Sequence, residues 1–386
     1  MRWMLVPLAV LLTASCDPKT PPRLAVNGSI ELVETIPLET ALDHQDIRDT
    51  SEVWLDMISK AKKTLEIEQF YISNDPRPGK GVLEPVLKAI EAAADRGVKV
   101  RILVDTEFFH KYPESVERLE LRAAIKVRKL DMTAIMGGVQ HAKYFIVDGN
   151  EVFLGSQNFD YRALEHIHEL GIRTTDTEVA RGLHTIFELD WATAESQTPP
   201  SGLGRDDTTL GYRPIMLGAS PRKLLPNERM WELPKLIAWI DEAKDTVRLE
   251  LPELKPTYRD GQPFPELYDA LVRAARRGVR VSLLTSTWAE NDVVLKDLAR
   301  LPGVSVKVLT IPPWSGGPVP FARVAHAKYM IVDGVRGWLG TSNWEGDYFY
   351  RSRNVSLFID DKAFAKQLES VWTSAFKSNY AHFVNK

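Results

Sequence analysis

The chain has 386 residues, 44% apolar and 26% charged, with a formal net charge of −3. That is more chain than one ordinary core organises, and the composition is that of a globular protein, not a disordered or collagen-like one. The charge balance gives no electrostatic case for gripping long nucleic acid by neutralising many phosphates, though it leaves room for a short strand in a locally basic pocket, and the single cysteine, Cys16, excludes an intrachain disulfide and any CxxC metal site.

At the start of the chain, Arg2 precedes an apolar run that leads through small residues to Cys16. The run is too short to span a bilayer comfortably and has the layout of a secretory signal. It resembles a bacterial lipoprotein signal, with Cys16 as the lipidated first residue of the mature chain, although Thr13 stands where that signal usually has Leu. The alternative is an ordinary signal peptide that happens to end near a cysteine. The expected location is therefore the bacterial cell envelope: exported, and anchored to a membrane on its periplasmic side through Cys16. The Pro-rich stretch "DPKTPPRLAVNGS" reads as a tether.

Beyond the tether the chain is duplicated. "AKKTLEIEQFYIS" (61–73) aligns with "AKDTVRLELPELK" (243–255) at an offset of 182, and "DRGVKVRILVD" (95–105) with "RRGVRVSLLTS" (276–286) at 181. "HAKYFIVDG" (141–149) and "HAKYMIVDG" (326–334) differ at one position and lie 185 apart. That period is far too long for a solenoid, so these are two homologous halves. In each, a helix pattern (Val53 to Lys63; Leu233 to Lys244) leads to an apolar strand. A second helix (Leu83 to Arg96; Pro265 to Arg277) stops at Gly97 or Gly278, followed by a β-branched strand. The histidine segment, read as a strand, then turns at Asp-Gly into another apolar strand. The expected fold class is mixed α/β: two homologous domains, each a mixed β-sheet flanked by helices, related by a pseudo-two-fold axis. The expected boundaries are 1–16 for the signal, 17–40 for the tether, 41–197 for the first domain, 198–228 for a Pro/Gly/Asp-rich linker and 229–386 for the second domain.

The repeated segment carries chemistry. On a strand, His141 and Lys143 share one face, as do His326 and Lys328. After the hairpin, "GSQN" and "GTSN" supply Ser156 and Asn158, or Thr341 and Asn343, behind a glycine that permits close backbone approach. Ammonium, hydroxyl and amide together suit a phosphoryl group. Two such half-sites facing one another allow a reaction. One neutral histidine attacks phosphorus to give a phosphohistidine; the other, protonated, supplies the leaving oxygen's proton and later takes one from water. Asp148 and Asp333, at the start of the Asp-Gly turns, read as structural.

The pattern H-x-K-x4-D-x6-G-(S/T)-x-N, present twice, resembles the twin signature of the phospholipase D superfamily, over roughly residues 30–380. "GSQNFDYRALEHIHELG" and "ARVAHAKYMIVDG" with "LGTSNWEGDYF" resemble the subgroup of animal lysosomal phospholipase D-like 5′-exonucleases and the related poxvirus envelope protein. The resemblance implies a metal-independent enzyme without cofactors. His141 would be its nucleophile and His326 its general acid, and Lys143, Lys328, Asn158 and Asn343 would hold the phosphate. It also implies a residue near position +28 that orients the histidine; here that is Glu169 in the first half and Asn354 in the second. Members often place an acidic residue there, so Asn354 makes the two histidines inequivalent; it does not by itself divide their labour, because a carboxylate partner serves either role.

"EHIHE" (165–169) carries two histidines but no apparent partner set for a metal. Trp314, Trp344, Tyr348, Phe349 and Tyr350 near the second motif read mostly as core, with some free to line a mouth. The leading expectation is a phosphodiesterase that hydrolyses phospholipid or transfers its phosphatidyl group. The alternative is a 5′-exonuclease on short single-stranded nucleic acid. The third is a non-catalytic phosphate- or lipid-binding protein, which two complete motifs argue against.

Overall fold

A computed structural model describes residues 24–384 apart from 27, 78–80 and 201–212. The signal-like start with Cys16, residues 17–23 of the tether and residues 201–212 of the expected linker lie outside the described residues. In the first half the elements are β1 (Ile30–Thr35), α1 (Thr50–Ser59), β2 (Thr64–Gln69), α2 (Leu83–Asp95), β3 (Lys99–Asp105), β4 (Ile125–Leu130), β5 (Tyr144–Val147), β6 (Glu151–Gly155), β7 (Glu169–Thr174) and α3 (Thr177–Ser196). The second half repeats them as β8 (Ile215–Ser220), α4 (Glu232–Glu242), β9 (Thr246–Leu251), α5 (Glu266–Arg276), β10 (Arg280–Ser286), β11 (Val304–Leu309), β12 (Tyr329–Val332), β13 (Arg336–Gly340), β14 (Asn354–Ile359) and α6 (Lys362–Lys377).

The helices form where the sequence pattern places them. In α2, Leu83, Val86, Leu87, Ile90, Ala93 and Ala94 recur at helical spacing and are buried. Gly97 and Gly278, both at φ +92, end α2 and α5 in a conformation that costs glycine little. The first helix of each half stops earlier than its pattern suggests. The Asp148 carboxylate accepts the backbone N–H groups of Lys62, Lys63 and Thr64, at 2.6 to 3.2 Å. Asp333 does the same for Lys244, Asp245 and Thr246. Those donors start a strand instead of continuing a helix.

The strand order is β1-β7-β6-β5-β2-β3-β4 in one sheet and β8-β14-β13-β12-β9-β10-β11 in the other. Of these strands, three in each sheet are parallel neighbours (β2, β3, β4; β9, β10, β11) and the others pair antiparallel, while the short strand Arg48–Asp49 runs parallel to β1. Two boundaries differ from expectation. Strand β1 lies within the stretch read as tether, and β8 within the stretch read as linker. Both are paired at the far side of their sheets with β7 and β14, a long-range pairing that local composition does not announce. A further difference concerns the motif: β5 and β12 begin one residue after Lys143 and Lys328. His141 to Lys143 and His326 to Lys328 are therefore outside the ladder.

Helices α1 and α2 cover the outer face of the first sheet, and α4 and α5 that of the second. The inner faces, with α3 and α6, share one apolar core. Tyr144, Leu154, Ile172 and Phe187 pack there with Tyr329, Leu339, Leu357 and Trp372. The halves are thus fused through a single hydrophobic layer. Two symmetry-related backbone bridges cross it: His141 N–H to Arg353 O (2.9 Å), and His326 N–H to His168 O (2.9 Å). Behind them sit buried charges paired across the seam. Arg353 binds Asp190 at 2.6 Å on both nitrogens and donates to the carbonyls of Ser220 and Leu224. His168 Nδ1 lies 2.7 Å from Glu250. Each of these pairs joins the two halves.

Candidate active site

The backbone bridges fix both catalytic-motif histidines at the seam between the halves. Each lysine turns back on its own motif: Lys143 Nζ donates to His141 O and Lys328 Nζ to His326 O, both at 2.6 Å. Both ammonium groups are buried. Burial, then repulsion from Lys328, pulls the pKa of Lys143 well below its usual value. Burial pulls Lys328 down to about 7, with Glu169 opposing. Two dehydrated ammonium groups that repel one another are unfavourable alone, and an anion such as a phosphodiester relieves them.

The histidine partners cross between halves. Glu169, from the first half, lies 2.8 Å from Nδ1 of His326; Asn354, from the second, lies 3.0 Å from Nδ1 of His141. Neither residue orients the histidine of its own half, as the +28 spacing had implied. The amide of Asn354 is fixed. Its Nδ2 donates to Tyr348 O (2.8 Å), and its Oδ1 also accepts the Thr341 hydroxyl (3.0 Å). Its oxygen therefore faces His141, which must donate from Nδ1 and keep its lone pair on Nε2. Burial, then the charges of Lys143 and Lys328, holds His141 well below the usual imidazole range. His326 is also lowered by burial, but the Glu169 carboxylate opposes the shift. One histidine is thus held neutral with Nε2 free. The other is backed by an anion that stabilises its imidazolium.

The phosphate-binding expectations divide. Asn158 and Asn343 are at the site, and each has a buried amide oxygen without a protein partner among the described residues. Asn158 Nδ2 donates to the Tyr71 hydroxyl at 3.4 Å. The hydroxyls expected on the phosphate are engaged elsewhere. Ser156 Oγ donates to Leu170 O and accepts Leu170 N–H, and Thr341 Oγ1 accepts Val355 N–H and gives its one proton to Asn354 Oδ1. They pin the strand that follows, and Thr341 positions the partner of His141. The preceding glycines do permit close approach: a Cβ at Gly155 would lie 2.8 Å from the Gly171 Cα, and one at Gly340 2.5 Å from the Ser356 Cβ.

Asp148 and Asp333 sit at φ +51 and +52 at the opposite ends of β5 and β12, on the backbone donors described above, in a structural role. The two histidines of "EHIHE" diverge: His166 packs 4.9 Å from Trp314, while His168 pairs with Glu250. A three-ligand cluster elsewhere, Glu66, His184 and Glu188, has Arg101 donating to both carboxylates.

Sequence reasoning missed an aromatic wall beside His141. The Phe70 ring lies 5.0 Å from His141 and 3.9 Å from Phe108, and Tyr71 lies 5.6 Å from Phe108 and 5.0 Å from Tyr112. The available signal was position, because Phe70, Tyr71 and Phe108 follow the C-terminal ends of parallel strands β2 and β3, where α/β sheets place ligands. Of the aromatics that were noted, Trp344 and Phe349 are core. Tyr348 stands 4.9 Å from His141 and receives Arg259 at 3.3 Å on its hydroxyl. Trp288, half-exposed, lies 6.0 Å from His326.

The family described as "Cardiolipin synthase, PLD-like domain" matches residues 54–191 and again 236–374, one match per half. The virion nicking-joining enzyme of vaccinia virus (strain Western Reserve) is 31% identical over 379 residues, covering 91% of this chain and 88% of the viral one. The 5′-3′ exonuclease PLD3 of Rattus norvegicus is 31% identical over 392 residues, covering 91% and 80%. Phospholipase D Z of Dictyostelium discoideum is 29% identical over 392 residues, covering 92% and 91%.

Proposed function

This chain belongs to the phospholipase D superfamily of phosphodiesterases, and we propose that it cleaves phosphodiesters at the ends of short single-stranded nucleic acid through a phosphohistidine on His141. The observation that carries this reading is the aromatic wall of Phe70, Phe108, Tyr71 and Tyr112 beside His141 and Asn158. Flat rings next to a phosphate site offer stacking surface to bases without selecting a sequence. The names of two relatives, a nicking-joining enzyme and an exonuclease, support it.

Nε2 of His141 attacks phosphorus as the bond to the leaving oxygen breaks, and His326 gives that oxygen a proton. Neutral His326 then takes a proton from water as the oxygen attacks phosphorus, the P–N bond breaks and His141 is restored. Lys143, Lys328, Asn158 and Asn343 balance charge on the non-bridging oxygens throughout.

A second reading is cleavage or transfer of a phospholipid headgroup. It is favoured by Trp288 at His326 and by Phe321, 77% exposed on the segment leading to that histidine, and by the name of the Dictyostelium relative. The full protein is given a 3′-labelled single-stranded oligonucleotide with a free 5′-hydroxyl and, separately, phosphatidylglycerol vesicles with added ethanol. Stepwise shortening of the oligonucleotide is expected. Formation of phosphatidylethanol or phosphatidic acid with the oligonucleotide intact would overturn the nucleic-acid reading in favour of the lipid one. We also propose a membrane anchor through a lipid on Cys16, from the signal-like apolar run that precedes it.

A further inference from the structure

The halves share a scaffold, so a corner where their chemistry differs is informative. On β1, Glu31 lies opposite Arg173 of β7, and its carboxylate accepts from Arg48 (2.6 and 3.0 Å) and Arg173 (3.0 Å). An ion cluster closes that corner of the first half. In the second half, the place of Glu31 is taken by Met216 on β8 and that of Arg173 by Phe358, opposite it on β14. The place of Arg48 is taken by Met230, one residue before Trp231, which bridges to Ala219 of β8. Three charged residues have become two methionines and a phenylalanine.

Among the described residues the second corner stays open. Between α3 and β8 lies a cavity of about 150 Å³ whose walls include Met216, Met230, Val179, Ile215 and Leu217. Its rim is cationic. Arg213 is there, already held by Asp176 at 2.8 Å. Lys235 is there too, and it has no such partner. Its half-buried ammonium rests 3.7 Å from the Met216 sulfur and 5.0 Å from the centre of the Phe358 ring. No carboxylate among the described residues pairs with it, and burial alone lowers its pKa. A cation that has lost water without gaining an anion is unfavourable, and an incoming anion removes that cost.

We propose that this cavity is a binding site for a small organic anion with an apolar tail, the tail between Met216 and Met230 and the anionic group on Lys235. A cavity of this volume has room for about one benzene-sized group, which corresponds to a six-carbon chain or one aryl ring. Methionine walls suit such a ligand, because thioether side chains adapt to irregular shapes. The lining residues are distinct from those around His141 and His326, so occupancy is independent of the phosphodiesterase reading.

The two methionines are also the reporters. Full-length protein labelled at its methionine methyls with ¹³C is titrated with hexanoate, resonances being assigned through Met216→Leu and Met230→Leu. The Met216 and Met230 methyls should shift saturably at millimolar hexanoate, and hexylamine at the same concentration should leave them in place. Lys235→Met should weaken hexanoate binding by about ten-fold or more, and Lys235→Arg should retain it, with the unfolding midpoint of each variant confirming that it folds. Equal shifts with hexylamine, unchanged affinity in a folded Lys235→Met protein, or no shift with hexanoate would each overturn the proposal.

Discussion

At the residue scale, the site works through a difference between two histidines of the same motif. Asn354 offers His141 a neutral acceptor, and Glu169 offers His326 an anionic one. In the proposed mechanism turnover needs His141 neutral and His326 protonated. Both are lowered from 6.5, His141 further. The profile of kcat/KM against pH should therefore be bell-shaped with its maximum below about 6.5. Its rising limb reports loss of a proton from His141, and its falling limb loss of a proton from His326. Glu169→Gln removes the anion that favours His326 imidazolium, so the falling limb should move to lower pH, by about one unit. Asn354→Asp places an anion on His141, so the rising limb should move up by a similar amount. A shift of the opposite limb in either variant would reverse the roles. The roles can also be separated chemically. His326→Ala with a p-nitrophenyl phosphodiester, whose leaving group needs little proton donation, should accumulate an acid-labile, base-stable adduct on His141, located by mass spectrometry. The His141→Ala protein should carry none.

At the scale of elements, the residues after the histidines do more to place strands than to touch substrate. Asp148 gathers three backbone donors and thereby sets where α1 stops and β2 starts. Partial burial pushes its pKa up, but those N–H groups outweigh it and leave the carboxylate below its ordinary value. Asp148→Ala should lower stability by about 2 kcal/mol, read from denaturant midpoints, with the rate falling only as the fold does. A carboxylate with a lowered folded-state pKa contributes stability that is present above its unfolded value and lost as pH falls through the folded one. The difference between wild type and Asp148→Ala should therefore shrink below about pH 4. A large loss of kcat with normal stability would instead put Asp148 in the chemistry. Thr341 works likewise at one remove, since its hydroxyl holds the Asn354 oxygen toward His141.

At the scale of the molecule, the two halves make one site. Each histidine takes its partner from the other half, and the inner faces share one core. Lys143→Ala and Lys328→Ala should each cut turnover by about 10²-fold, or roughly 3 kcal/mol of lost charge stabilisation in the transition state. Near-normal turnover in either variant would mean that only one half holds the phosphate. The chain's attachment is a separate matter. The proposed lipid on Cys16 predicts that wild-type protein sediments with membranes and that Cys16→Ser does not; wild type found soluble with its N-terminus intact would refute the anchor.

The duplication, the twin motifs, the amphipathic helices and the Asp-Gly turns were legible in the sequence, because each is a pattern over nearby residues or a repeat that needs no folding to be seen. His141, Lys143, Asn158 and their counterparts could be named for the same reason. Other features depended on tertiary structure. Glu169 serves His326 and Asn354 serves His141 across 157 and 213 residues. Ser156 and Thr341 engage the strands that follow them, and Phe70, Tyr71, Phe108 and Tyr112 gather from separate segments into one wall beside His141. Spacing along a chain fixes which side chains share a face of one helix or strand. It does not fix which face meets which when two sheets close around a common core, and that closure is what paired each histidine with the other half.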